Sequence, residues 1–146
     1  MVASCSLASD CGLGEVLVAS CDLPGKTKRS AVICINSLED VSKYYLKRKN
    51  KVEFEVEFNH QKRLKRWVDM GTYSTYFGFN SHDYSYVFIV PEEKPKAAAL
   101  LEVKKYGKTI SAQRCKSNSF GDKHIKSQSI EDLLDSSVRD NDFEFP

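Results

Sequence analysis

Polar and apolar residues alternate with a period of two along much of this chain, the pattern of half-buried β-strands. Val52, Phe54, Val56 and Phe58 alternate with Glu53, Glu55 and Glu57, which predicts one apolar and one acidic strand face. A helix, at 3.6 residues per turn, would smear those two sets around its surface. Residues 73–90 read as a hairpin closed by the two-residue loop Ser81-His82 within Asn80-Ser81-His82-Asp83. Phe79 then falls opposite Tyr84, Phe77 opposite Tyr86, Thr75 opposite Phe88 and Tyr73 opposite Val90, all on one face. The other face carries Ser74, Tyr76, Gly78, Ser85, Val87 and Ile89. Such an aromatic ribbon either lines the core or presents a contact surface.

The same reading extends in both directions. Residues 15–22 and 29–35 have strand composition, and two turns compete between them. A turn at Thr27-Lys28 sets Cys21 opposite Cys34. The turn Leu23-Pro24-Gly25-Lys26 suits type II geometry and separates the two thiols. Residues 42–46 form a short tyrosine-rich strand, ended by the polar turn Lys47-Arg48-Lys49-Asn50-Lys51. A loop centred on Gln61 leads into residues 64–70, with Phe58 opposite Leu64, Phe54 opposite Val68 and Glu57 opposite Lys65. That register sends Trp67 to the outer face beside Glu55. Residues 98–105 and 109–116 make a last hairpin across Tyr106-Gly107, with Val103 facing Ile110 and Leu101 facing Ala112. The expected fold is all-β, a single antiparallel meander of about eight strands closed or nearly closed into a barrel or sandwich.

Beyond Ser117 loop-forming residues dominate to Gln128. Ser129 occupies an N-cap position, Glu131 and Asp132 the first turn, and Ile130, Leu133 and Leu134 recur at helical spacing, which predicts one short C-terminal helix. The length of 146 residues suits a single core. The expected organisation is an antiparallel β domain over 1–126, its first fourteen residues loose, followed by an acidic tail carrying the helix over 127–146.

Charge sharpens that division. The chain carries +2 overall, yet residues 127–146 hold six carboxylates (Glu131, Asp132, Asp135, Asp140, Asp142, Glu144) against the single Arg139. The tail is therefore at −5 and the rest at +7, with cations crowded between Lys43 and Arg66. No apolar stretch reaches the ~20 residues that span a bilayer.

Five cysteines, at 5, 11, 21, 34 and 115, lack the Cys-x-x-Cys spacing of zinc sites, so neither metal nor cofactor is expected. Cys21, Cys34 and Cys115 are the disulfide candidates, and the odd count leaves one thiol free or paired between molecules. This points to a periplasmic or secreted protein whose leader has been removed, with the cytoplasm as the alternative. Val2-Ala3-Ser4-Cys5 and Val18-Ala19-Ser20-Cys21 match the end of a lipoprotein processing site without its hydrophobic segment, so a lipid anchor stays open.

Catalytic groups are sparse. His60 and His82 fall in expected turns and His124 in the polar segment; only His82-Asp83 pairs a base with a carboxylate. There is no Gly-rich phosphate loop, nucleophile elbow or His-Glu-x-x-His pattern. Glu53, Glu55 and Glu57 stand about 7 Å apart on a strand and suit pairing with neighbouring cations. The chain is therefore expected not to be an enzyme. Aromatic residues flanked by cations also suit single-stranded nucleic acid, and that is the alternative function. The leading expectation is a protein-binding module, an inhibitor or immunity-type protein that blocks a secreted enzyme or toxin. Its expected contact residues are Trp67, Tyr76, Tyr84, Tyr86 and Arg66, with Glu131, Asp132, Asp135, Asp140 and Asp142 reaching a basic cleft. Paired strands ending in a late cysteine resemble, in architecture, the small periplasmic lysozyme inhibitors, although their signature loop is missing. The resemblance implies inhibition of an enzyme by surface contact.

Overall fold

The computed structural model describes residues 11–116 and 118–146. The first processing-site match and Cys5 lie outside them. Alternation generates the strands in chain order: β1 (Glu15–Leu23), β2 (Arg29–Asn36), β3 (Val41–Arg48), β4 (Lys51–Phe58), β5 (Leu64–Val68), β6 (Thr75–Ser81), β7 (Tyr84–Val90), β8 (Leu100–Lys105), β9 (Lys108–Arg114), β10 (Asn118–Phe120) and β11 (Ile130–Leu133), then helix α1 (Asp135–Arg139). The protein is mostly β, as expected, but the strands form two sheets and not one meander. The first runs β10-β1-β2-β3-β4 and the second β11-β5-β6-β7-β8-β9.

The break falls at the loop around Gln61. The Asn59 side chain accepts from the Gln61 and Lys62 amides at 2.8 and 3.0 Å, an Asx-type turn that redirects the chain. β4 then pairs with β3 alone, and β5 lies between β6 and β11. The expected pairing of Phe58 with Leu64 and of Glu57 with Lys65 is therefore wrong. Glu57 reaches Lys43 instead, at 3.9 Å. Alternation in β4 is as read, because pairing with β3 serves it equally well.

The predicted C-terminal helix also moves. Ile130–Leu133 is a strand running parallel to β5, with Ile130 beside Leu64 and Asp132 beside Arg66. Leu64 donates its amide to Ser129 at 2.9 Å, which fixes that register. Helical spacing of Ile130, Leu133 and Leu134 concealed a period-two element whose neighbour is 66 residues away. The helix begins after it, at Asp135.

Three registers differ locally. In β6–β7 the loop is His82-Asp83, so Phe79 opposes Tyr86 and Phe77 opposes Phe88. This is a two-residue shift, which leaves every side chain on its expected face; Tyr73 drops out of the strand. In β8–β9 a bulge at Val103/Lys104 sets Val103 opposite Ser111 and Leu101 opposite Gln113. In β1–β2, Cys21 opposes Ala31 and Cys34 opposes Leu17, so the Cys21–Cys34 pairing does not form and the two thiols are separated, as the competing turn requires. The bonds are Cys11–Cys34 and Cys21–Cys115. Cys21 and Cys34 both form disulfides but not with each other, and Cys115 is used as expected.

One core draws on both sheets: Val18, Ile33, Ile35 and Phe58 from the first, Leu64, Phe77, Phe88 and Val90 from the second. Each such side chain contributes about 1.5–3 kcal/mol by leaving water. The aromatic ribbon therefore belongs mainly to the core. Phe79 lies 5.0 Å from Tyr86 in a stacked pair and 5.2 Å from Tyr44. Among the described residues no helix is long and apolar enough to cross a membrane.

Candidate partner-binding surface

Trp67 lies on the outer face of the second sheet, as its parity demands, yet it is only 3 % exposed. The C-terminal segment covers it. Trp67, Val87, Val138 and Phe145 make a second apolar cluster, with Tyr76 4.5 Å from the indole. Gly78 makes room for the cover: a Cβ there would meet Phe145 Cε1 at 2.5 Å. Lys104 Nζ donates to the Phe145 carbonyl at 3.2 Å.

Asp135, the first residue of α1, is the clasp. Its carboxylate accepts from Trp67 Nε1 at 2.9 Å, from the Met70 amide at 3.2 Å and from Arg139 Nε at 2.7 Å. Burial pushes the Asp135 carboxyl up, but these three donors together hold it below the usual carboxylate range. Arg139 also binds Asp69, whose carboxylate accepts from the Gly71 amide at 2.8 Å. The loop between β5 and β6 is thereby tied to the C-terminal segment, and the carboxylate partners hold the Arg139 guanidinium further toward its charged form.

Along that junction the surface is apolar. Met70, Tyr73, Leu134 and Phe143 are each more than half exposed, and the Arg139 guanidinium sits 5.3 Å from the Phe143 ring centre, a cation–π distance. Tyr73, Asp142 and Phe143 hold φ values of 59°, 54° and 58°. Non-glycine residues in this left-handed region cost of order 1–3 kcal/mol each and concentrate where structure is shaped for contact. Large exposed side chains thus stand here on strained but well-tied backbone.

The expected contact residues divide. Trp67 is buried and so not free to anchor a partner, and Tyr76 is half-buried beside it. Arg66 is 2 % exposed, its guanidinium held by Asp132 at 2.6 and 2.9 Å and by the Lys123 and Ile125 carbonyls at 3.1 and 2.7 Å. That makes it structural. The hydrogen bonds from Arg66 lower the Asp132 carboxyl, with Lys126 adding to the effect against partial burial. Tyr86 packs on the core, and Tyr84 lies at its margin with Lys105 Nζ 5.3 Å from its ring. Glu131 stands half-buried in β11, while Asp140 and Asp142 are exposed. Met70, Leu134, Phe143 and Arg139, which form this exposed junction, are not among the contact residues expected from the sequence. Of these only Phe143 falls in the ending Asp140-Asn-Asp-Phe-Glu-Phe-Pro146, where acid and aromatic alternate.

Comparison with family models, curated proteins and solved structures yields no match. Chemistry must therefore be read from this chain. All four described cysteines are in disulfides, which fits an oxidising environment. Glu15 lies within 4.8 Å of the Cys11 and Cys34 sulfurs, but its carboxylate is engaged by the Gly12 amide at 2.7 Å and the Tyr45 hydroxyl at 3.1 Å. It serves to close the turn before β1. His60, His82 and His124 are all exposed.

Proposed function

We propose that the protein is a small non-catalytic binding module, of inhibitor or immunity type, that blocks a secreted enzyme or toxin through the rim formed by the β5–β6 loop and the C-terminal segment. In this reading the two sheets act as a sandwich-like scaffold, and the compartment is periplasmic or extracellular. The observation that carries it is the exposure of Met70, Tyr73, Leu134 and Phe143 beside an Arg139 clamped by Asp69 and Asp135. Aromatic and Arg side chains held rigidly in advance lose little entropy on binding and dominate interface energies. Asp140 and Asp142 at the edge add the negative charge that a basic active-site cleft would attract. Single-stranded nucleic acid, the second reading, is less supported because Phe77, Phe79 and Phe88 are buried and unavailable for stacking.

The test is capture of a protein at one-to-one stoichiometry from the extracytoplasmic fraction of the source, using the disulfide-intact chain. Wild type is expected to retain one partner, and Tyr73→Ala with Phe143→Ala to lose it while keeping the wild-type circular dichroism. Equal capture by both, or capture of nothing, contradicts the proposal.

A further inference from the structure

We propose that the end of the first sheet opposite the Gln61 loop is a second binding site, for an anionic polysaccharide bearing sulfate or phosphate groups. Three chain segments converge there. The β1–β2 loop supplies Lys26 and Lys28, and the β3–β4 turn supplies Arg48, Lys49 and Lys51. The Lys49 amide donates to the Lys28 carbonyl at 2.8 Å, locking the two turns together. Lys116 joins them because its amide donates to the Asp22 carbonyl at 2.7 Å, and the Cys21–Cys115 disulfide anchors both neighbours. A cleft of about 270 Å³ opens between Lys26, Lys28, Arg29 and Lys116, four cations against the single carboxylate of Asp22 in its lining.

The register makes this more than a solvated charge run. Arg29 is the direct cross-strand partner of Arg48, and Arg48 of Lys51. Three cations therefore stand in one row across β2, β3 and β4. Like charges directly opposite one another destabilise a sheet, so folding does not select this row. Glu53 offsets Arg29 alone, at 2.7 Å. The Arg29 side chain is 40 % exposed and lines the cleft, so an anion seated there meets its guanidinium and relieves the repulsion.

The geometry also selects among polyanions. From β1 to β4 the site spans about 14 Å at ~4.8 Å per strand, room for several charged groups in a line. None of the exposed large apolar residues near the turns is aromatic: Val52 alone belongs to them. Base stacking has no platform there, which disfavours single-stranded nucleic acid.

The experiment measures binding of the intact protein to a heparin oligosaccharide, to its desulfated counterpart and to a single-stranded oligonucleotide of matched charge, over a range of salt. The variants are Arg48→Glu with Lys51→Glu and, as a second route should that turn misfold, Lys26→Glu with Lys116→Glu. The control Lys62→Glu with Arg63→Glu makes the same charge change at the other end of β4. Heparin is expected to bind, with a loss of about tenfold in either site variant and a salt slope lower by about two. The control stays within about twofold. Equal losses in site and control variants, oligonucleotide binding as tight as heparin, or undiminished binding after desulfation overturn the proposal.

Discussion

Arg66 and Asp132 set the energetics of the second sheet's edge. Arg66 is enclosed and Asp132 is nearly half exposed, so removing the carboxylate strands a buried cation. Asp132→Asn is expected to destabilise by more than about 1 kcal/mol. The loss stays below the ~3–5 kcal/mol of a fully enclosed pair, because the Lys123 and Ile125 carbonyls still accept from Arg66. Urea unfolding measures it. The pH dependence follows in sign. Asp132 and Asp135 are lowered in the folded state, so their stabilisation is complete above the ordinary carboxylate range and is lost as pH falls below about 4. The wild type is expected to lose stability across that window, and Asp132→Asn to show a shallower slope there. An identical slope would sever Asp132 from acid unfolding. Gly78 makes a similarly local claim. Gly78→Ala forces its Cβ against Phe145 and is expected to cost about 1–3 kcal/mol through overpacking. It should also shift Trp67 emission to the red, and unchanged emission would contradict the seat described for Phe145.

At the scale of elements, the C-terminal segment is part of the sheet and not an appendage. Chain ending at residue 140 is expected to keep its β circular dichroism yet expose Trp67, visible as red-shifted, more quenchable fluorescence. Fluorescence identical to wild type would show that residues 141–146 do not cover the indole. The disulfides differ in reach, 23 against 94 residues. On chain entropy alone, removing Cys11–Cys34 costs roughly 3 kcal/mol and removing Cys21–Cys115 roughly 5, and thermal unfolding of the paired serine variants tests that order. The elements most legible in the sequence are those joined by short loops. β3 and β4 meet at Lys49 and Asn50, both at positive φ, and the period of two does the rest. The parallel β11–β5 pair was not legible, because its partner is remote and four residues are too few to separate strand from helix. The disulfides escaped for a related reason: Cys11 and Cys115 come from chain segments that only the finished sheet brings near Cys34 and Cys21. Parity puts Trp67 on the correct face, but nothing local in the sequence announces that Phe145 lies over it.

Across the whole molecule, the net charge of +2 conceals two poles. The cations Arg48, Lys49 and Lys51 stand at one end of β4 and Lys62 and Arg63 beyond the other, about 25 Å apart at ~3.4 Å per residue. Asp135, Asp140, Asp142 and Glu144 follow the strand β11 on the segment that covers the outer side of the second sheet, beside the rim that carries Tyr73 and Phe143, whereas Asp132 turns to the opposite face with Arg66. The proposed protein partner and the proposed polyanion thus meet different surfaces, and losing one need not abolish the other. The most direct measurement of the rim's role is site-specific photocrosslinking in the native extracytoplasmic fraction, with the reactive side chain at position 73, 143 or 110. Adducts of one protein from positions 73 and 143, with none from 110 on the exposed strand β9, are the predicted result. Adducts from 110 alone, or none from 73 and 143, would contradict the account.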